Sequence, residues 1–255
     1  MSRAAAGRRS ALGCLLVAAL LGCTARAPYS IAPGHEGAPG VRRVLLCPLN
    51  LALSLPAEIS DGAKPVRQEL IAYLEAQGLE VERLGLSEGR WRWKQAGGEA
   101  KSQGSADAAL AIFVQDMAQR REFEALMMPS LILHSVRVVD SSGTWDGVRR
   151  RMAQVNAPSM GHAGSTDTFT KGVAYGGIDG TVLATSLHLM VFSPDGQRVF
   201  EGRGGLDFVQ EIDLMDAQSW RYELRMKRRL LRNPEVVRKG VEIALAPYLP
   251  PRSER

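Results

Sequence analysis

The chain has 255 residues, of which 45% are hydrophobic, 23% charged and 6% aromatic, with a mean hydropathy of −0.11. This composition can supply a substantial core, and it excludes a polytopic membrane protein or a chain disordered by composition. Three of the 32 basic residues and none of the 27 acidic ones lie in residues 1–22, so the rest of the chain carries a net charge of +2. A charge that small does not favour nucleic acid as a partner.

Residues 1–22 have the organisation of a secretory signal peptide. Arg3, Arg8 and Arg9 precede the apolar run Ala11–Leu21. A helix of this length spans only about 16 Å, which is too short to cross a bilayer as a stable anchor. We therefore expect this segment to direct export and then to be removed.

The apolar run ends in Leu20-Leu21-Gly22-Cys23, which resembles the lipobox of bacterial lipoproteins. In that family the small residue gives the signal peptidase access to the scissile bond, and the cysteine thiol accepts a diacylglycerol. The resemblance implies cleavage between Gly22 and Cys23 and lipidation of Cys23. It also implies delivery to the outer membrane, because Thr24 follows Cys23 where inner-membrane retention commonly uses aspartate.

The other two cysteines do not contribute to this chemistry. Cys14 lies within the leader, and Cys47 follows the apolar residues 44–46, where packing as a small hydrophobic residue is favoured over reactivity. With Cys14 removed and Cys23 acylated, Cys47 has no partner for an intramolecular disulfide.

The rest of the sequence predicts one mature α/β domain over residues 42–249, with a tail at 250–255. Residues 23–41 are expected to form the lipidated cysteine and a flexible tether rich in proline and glycine. In the domain, an apolar strand at 42–48 precedes a helix at 66–77, which Pro65 and Gly78 delimit. A strand at 80–84 then completes a βαβ-like unit with a parallel strand pair.

The second half of the sequence predicts an antiparallel meander closed by two C-terminal helices, and therefore a mixed sheet. The glycine-rich residues 202–205 are expected to form a bulge or bend within the meander. The predicted elements in chain order are a helix at 105–126, strands at 131–139, 144–155, 181–192, 197–202 and 205–211, and helices at 215–231 and 234–248.

No cluster of residues predicts catalysis, a cofactor or a metal. His134 and His188 lie in predicted strands and could be cross-strand neighbours, but neither they nor His35 and His162 show zinc-ligand spacing. Two strand histidines are more often satisfied residues of a sheet face. The Gly-x-Ser-x-Gly motif is absent from the sequence, and the acidic pair at 213 and 216 is interpreted as favouring a helix start.

Two segments could form binding surfaces. Residues 156–177 are dense in glycine, serine and threonine, and loops of this length are often functional or disordered. A basic cluster falls on the predicted closing helices, where a solvated face is the simpler interpretation and contact with anionic lipid or another acidic envelope polymer is the alternative. Its members are Arg221, Arg225, Lys227, Arg228, Arg229, Arg232, Arg238 and Lys239.

The order of elements is similar to that of small envelope lipoproteins. The segments RRVLLCPLN (42–50), PVRQELIAYLEAQGLEVERL (65–84) and EVVRKGVEIALAPYL (235–249) follow this pattern. The resemblance is to the curli-secretion lipoproteins, the penicillin-binding-protein activator lipoproteins and the amino-terminal domain of TolB. It implies a three-layer α/β domain that acts through non-enzymatic protein contacts.

These observations favour a lipid-anchored, non-enzymatic binding or assembly module on the periplasmic face of the outer membrane. Its partners would be membrane lipid through Cys23 and an envelope protein or a second copy of the chain. The alternative is an envelope hydrolase whose site gathers His134, His188, Ser165 and Asp167. A pore formed by residues 156–177 is disfavoured because the segment has too few apolar residues for a lipid-facing strand.

Overall fold

A computed structural model describes residues 28–35, 38, 40–101, 105–155, 177–216 and 221–249. The leader, Cys23, residues 156–176 and the tail at 250–255 lie outside the described residues. The elements in chain order are β1 (Tyr29–Ile31), β2 (Arg43–Leu46), a 3₁₀ turn (Ala57–Gly62), α1 (Ala63–Ala76), β3 (Glu80–Arg83), α2 (Leu86–Ala100), α3 (Ala106–Ala118), β4 (Ala125–Val139), β5 (Ser142–Trp145), β6 (Val148–Arg151), β7 (Gln154–Val155), β8 (Gly180–Phe192), β9 (Arg198–Phe208), β10 (Gln210–Asp216), β11 (Arg221–Met226) and α4 (Pro234–Leu245).

Two sheets organise these strands. The large sheet has the order β1-β9-β8-β4-β2-β3, and the hairpin β5–β6 extends it from β4. Strand β2 runs parallel to β3 and β4, whereas β4, β8 and β9 form the antiparallel meander. The small sheet has the order β11-β10-β7. The predicted α/β fold, with a parallel βαβ unit and an antiparallel meander, is confirmed.

Helices cover both faces of the central strands. Side chains alternate between the faces of a strand, so Val44 and Leu46 of β2 join one core beneath α1 and α4. Leu45 and Cys47 point the other way and join a second core beneath α2 and α3. The fold therefore has the three layers expected from the resemblance.

Helix α4 packs closely on β9 because glycines meet at the contact. A Cβ atom at Gly204 would overlap the carbonyl oxygen of Gly240, and one at Gly240 would overlap the Leu206 side chain. The register also shifts just beyond these glycines, between the pairs Ser186–Gly205 and Ala184–Phe208. Residues 202–205 themselves pair one for one with residues 186–189, so the bulge expected within this segment lies beyond it. Gly204 lies where a side chain would collide with backbone.

The predicted helix at 215–231 is wrong. These residues lie mostly in β10, β11 and the segment before α4, so a single C-terminal helix is described. The acidic residues at 213 and 216 accordingly lie in a strand, and they do not start a helix. In β11 apolar and charged residues alternate with a period of two, and pairing with β10 stabilises this extended conformation.

The predicted tether is also partly structured. Tyr29–Ile31 form β1, which pairs antiparallel with β9 and places Ser30 opposite Glu201. The chain is therefore held to the sheet from residue 29, rather than from residue 42. Helix α2 is a further difference, because it was not predicted from the sequence. Its glycines 97 and 98 weaken the helical pattern.

Candidate functional site

A strip of polar side chains crosses one face of the sheet, beyond the area that α2 and α3 cover. Residues directly opposite each other on neighbouring strands point to the same face. Ser130 lies opposite His188, which lies opposite Arg203. The neighbouring residues Met128 and Met190 belong to the core beneath α2 and α3. The strip therefore lies on the same face of the sheet, next to that core. We call this set the polar strip: Ser130, His134, Ser186, His188, Glu201 and Arg203.

One end of the polar strip is a histidine–carboxylate pair. His188 Nε2 lies 2.8 Å from Glu201 Oε1, and Arg198 Nη1 lies 3.0 Å from the other oxygen of Glu201. The His188 side chain is only 10% exposed. A cavity of about 240 Å³ adjoins the pair, and its lining consists of Pro28, Tyr29, Ser30, Glu201 and Arg203.

The other end is centred on Asp146, at the turn between β5 and β6. Ser186 Oγ donates a 2.6 Å hydrogen bond to Asp146 Oδ2, and His134 Nε2 lies 3.1 Å from the same oxygen. Burial acts to raise the pKa of Asp146, but the contacts with His134 and Ser186 and the charge of Arg203 outweigh it. The pKa is therefore lowered and the carboxylate is held ionised.

The backbone of the same turn is also fixed. The amide of Gly205 donates to the Asp146 carbonyl at 2.9 Å, and Trp145 Nε1 donates to the Thr185 carbonyl at 3.2 Å. Asp146 has a φ of 37°, and Gly147 has a φ of 79°. These contacts attach the β5–β6 hairpin to β8 and β9.

The two histidines are not cross-strand neighbours, although their strands pair. The register places His134 opposite Ala184, four positions from His188. Four positions along a strand correspond to about 13 Å. Each histidine contacts a different carboxylate, and Ser165 and Asp167 lie outside the described residues.

The contacts around Asp146 do not form the relay of a serine hydrolase. Such a relay needs the histidine between the nucleophile and the carboxylate, so that it can take the hydroxyl proton. Here Ser186 and His134 contact the same oxygen of Asp146. This arrangement orients the three side chains.

The remaining residues singled out from the sequence lie apart from the polar strip. His35 contacts the carbonyl of Pro33, and Cys47 is buried beneath α2 and α3. Burial raises the pKa of the Cys47 thiol, so the thiolate is disfavoured. Among the described residues, no group of three histidine, cysteine or acidic side chains is placed to hold a metal ion.

The sequence analysis missed Asp146, Glu201 and Arg203 as members of a site. The alternation in β8, with Ser186 and His188 two positions apart, indicates one polar face. Their partners on β9 and on the β5 turn depend on strand register, which only the folded sheet defines.

A different surface is formed by β11 at the edge of the small sheet. Its exposed apolar residues are Tyr222, Leu224 and Met226, which we call the edge stripe. The basic cluster expected on closing helices is divided between this strand, the segment after it and α4. Arg225 binds Glu211 and Asp213, and Lys227 binds Asp207.

Comparison of the chain with protein-family models, with curated proteins and with solved structures found no match. Within the described part of the chain, none of the helices combines the length and the apolar character needed to span a membrane.

Proposed function

We propose that this protein is a lipid-anchored envelope lipoprotein, which acts as a non-enzymatic binding or assembly module on the periplasmic face of the outer membrane. The observation that carries the proposal is the Leu20–Cys23 segment, which directly follows a basic and then an apolar stretch. Lipidation of Cys23 would attach two or three acyl chains, and stable anchoring requires more than one.

The position of β1 sets the distance between the anchor and the folded sheet. Tyr29 lies six residues after Cys23, and even a fully extended chain of that length spans only about 20 Å. Because β1 pairs with β9, the anchor would hold that side of the sheet close to the membrane. The cavity beside Tyr29 and Glu201 would then face the membrane-proximal space.

The character of the polar strip supports binding over catalysis. Both of its histidines contact a carboxylate within the chain: His188 contacts Glu201, and His134 contacts Asp146. Such pairs fix the shape and charge of a surface at little cost, because buried polar groups with partners are stable. Ser130, Ser186 and His188 are buried, so a partner presenting hydrogen-bonding groups could contact only Glu201 and Arg203, from the open side of the cavity.

The anchor can be tested at Cys23, with Cys14 of the predicted leader as the matched control. Cys23→Ala should abolish incorporation of labelled palmitate, leave the leader uncleaved by the lipoprotein signal peptidase and release the chain from the outer-membrane fraction. Cys14→Ala should change none of these. Processing and outer-membrane fractionation that persist in Cys23→Ala would contradict the proposal.

The binding role can be tested by crosslinking in intact cells, followed by mass spectrometry of the captured proteins. A photoreactive residue at Tyr29, beside the cavity, should capture an envelope component or another copy of the chain. The same residue at Trp91, which is 52% exposed on α2, is the control. Helix α2 directly follows β3, and β3 lies at the opposite edge of the large sheet from β1. Equal capture profiles at both positions would count against a specific binding surface.

A further inference from the structure

Strand β11 has an unpaired edge. It pairs with β10, and no second partner for it is found among the described residues. The outer edge of such a strand presents a row of free N–H and C=O groups, which can pair with another extended chain. The strand is six residues long, longer than the edge strands β1, β3 and β6 of the large sheet.

The side chains of β11 divide into an apolar and a charged face. Tyr222, Leu224 and Met226 are 47%, 37% and 40% exposed, a large apolar area for one short strand. Glu223 and Arg225 point to the other face. The strand is therefore amphipathic at an edge where its backbone is also free.

Among the side chains that the structure describes, Glu223 is not paired with a cation. Arg225 binds Glu211 at 2.9 Å and Asp213 at 2.6 Å, and Glu223 lies directly opposite Asp213 in the strand register. Like charges that lie opposite each other on paired strands are destabilising. Within the described part of the chain, no ion pair compensates Glu223.

We propose that β11 pairs antiparallel with β11 of a second copy, with Leu224 on the two-fold axis. In this register Glu223 of each copy lies opposite Arg225 of the other, and Tyr222 lies opposite Met226. The pairing supplies each Glu223 with a cation and satisfies the free backbone edge. It also brings the two apolar stripes side by side on one face of a six-stranded sheet.

The charges select this register over its neighbours. A two-fold axis through Glu223 places two glutamates opposite each other, and an axis through Arg225 places two arginines opposite each other. The axis at Leu224 gives opposite charges on both sides and pairs five residues, 222–226. An axis at Tyr222 would also oppose Glu223 and Arg221, but it would pair only three residues of the strand. Every two-fold axis that passes through a residue keeps apolar residues opposite apolar ones. A shift of the pairing register by one residue would instead place apolar residues opposite charged ones.

The other edge strands lack this property. Self-pairing of β3, with the sequence EVER, opposes glutamates at Glu80 and Glu82. Self-pairing of β6, with the sequence VRRR, opposes arginines in every register. Natural sheets use such charges to protect edges. Among these described edges, β11 is the one whose charges favour contact with a copy of itself.

The size of this contact connects it to the proposed function. A single strand pair buries much less than the roughly 1,200–2,000 Å² of a stable interface, so the dimer would be weak in dilute solution. Anchoring through Cys23 would confine the copies to one membrane and raise their effective concentration. The inference therefore rests on the proposed function for its strength, although the pairing itself does not use the lipid.

The register can be tested by disulfide crosslinking of the full-length chain in intact cells, with Cys23 unchanged. Opposed residues in an antiparallel pair lie about 4.5–5.5 Å apart between Cα atoms, within the range of a disulfide. Leu224→Cys should therefore form a disulfide-linked dimer. In the same register two copies of residue 223 lie about 8 Å apart, beyond disulfide reach, so Glu223→Cys is the matched control.

We expect the dimer band of Leu224→Cys to exceed that of Glu223→Cys by about fivefold or more, because only the former satisfies disulfide geometry. Absence of a dimer from Leu224→Cys, equal bands in both variants, or a crosslink only to a protein of different mass would overturn the inference. The membrane fraction of the same cells reports on Cys23 separately. Loss of membrane association with a retained dimer would contradict the proposed function and not the pairing.

The charge pair can be tested in the Leu224→Cys background. Glu223→Arg would place a second guanidinium opposite Arg225 of the other copy, and should reduce the dimer about fivefold or more. Glu223→Gln, which removes the charge and creates no repulsion, should reduce it less. Both substitutions are at an exposed position, and an unchanged thermal unfolding midpoint would show that the fold is intact. An undiminished dimer in Glu223→Arg would overturn the proposed register.

Discussion

Strand β4 passes through two different environments, and the change along its length distinguishes two regions of the molecule. Its first seven residues, from Ala125 to Leu131, are all buried, and most of them join either the core beneath α1 and α4 or the core beneath α2 and α3. Its last five residues alternate between exposed and buried, beginning with exposed Ser135 and buried Val136. We call the first region the covered region and the second, with β5, β6, β7, β10, β11 and the outer end of β8, the extension.

The two regions are stabilised by different means. The covered region combines two apolar cores on opposite sides of the sheet. The extension has one smaller core, built around Trp145 and Phe208, whose ring centroids lie 4.7 Å apart. It adds polar contacts, such as those of Asp146, and it leaves the edge stripe exposed.

The largest expected effect concerns the contact between α4 and β9 in the covered region. Gly204→Ala should destabilise the protein by about 3 kcal/mol or more, because its Cβ would overlap the Gly240 carbonyl and force α4 away from the sheet. Gly180→Ala is the control, since a Cβ there meets nothing within 4 Å. Chemical denaturation of both variants measures the difference, and equal stabilities would show that α4 can move without cost.

The next effect tests whether the extension has a true core. Ile212 is 1% exposed, whereas Leu224, directly opposite it on β11, is 37% exposed. Ile212→Ala should lower the free energy of unfolding by about 2–4 kcal/mol, the cost of a cavity in a packed interior. A loss below about 0.5 kcal/mol, typical of surface positions, would mean that the extension is not packed in solution.

A smaller effect is expected from the polar contacts that attach the β5–β6 hairpin. Asp146→Asn should cost about 1–2 kcal/mol at pH 7, because charge-assisted contacts with His134 and Ser186 are lost. The folded-state pKa of Asp146 is below its ordinary value of about 3.9, so its stabilisation is complete above that pH. The stability difference between wild type and variant should therefore shrink as pH falls through the folded-state pKa.

A matched acidic residue on the surface serves as the control for this pH dependence. The Ser193 hydroxyl and the Gln197 amide lower the pKa of Asp195, but Asp195 lies in an exposed turn. Asp195→Asn should have a smaller effect than Asp146→Asn at pH 7, because solvent screens the exposed contacts. Equal losses of stability in the two variants would indicate that the Asp146 contacts contribute no more to the free energy of unfolding than those of an exposed turn.

The smallest effect is expected at the edge stripe. Leu224→Ser should change the free energy of unfolding of the monomer in dilute solution by less than about 0.5 kcal/mol, because Leu224 remains partly exposed in the folded chain. Comparison with Ile212→Ala in the same denaturation experiment shows how much each strand of the pair contributes to stability, the buried β10 and the edge strand β11. A loss as large as that of Ile212→Ala would mean that Leu224 is covered in the monomer.

Much of the covered region could be predicted from the sequence, because its signals are local. Pro65 lies in the first turn of α1, and Gly78, with a φ of 75°, follows its end, so this helix is delimited by residues with strong conformational preferences. The continuous apolar run at 44–47 similarly indicates a strand covered on both faces. By contrast, the glycine-rich segment at 202–205 was expected to interrupt the pairing, but it pairs regularly with residues 186–189 and the register shifts only beyond Gly205.

The extension could not be predicted in the same way, because its conformation depends on partners that are distant in the sequence. Residues 215–231 resemble a basic helix, but β10 pairs with β11 and Arg225 binds Glu211 and Asp213 across the pair. Tyr29–Ile31 lack apolar periodicity, and the free edge of β9 induces the strand. The candidate site shares this dependence, because the contact of His188 with Glu201 requires the β8–β9 register.

By itself, the sequence determined the α/β class, the βαβ unit and the meander, since hydrophobic periodicity and turn residues act within a few positions of the chain. It also contains the predicted leader and the lipobox-like segment on which the proposed anchor depends. The tertiary structure alone decided which polar residues meet and which edge remains free. Strand register and pairing join residues far apart in the chain, and no local preference specifies them.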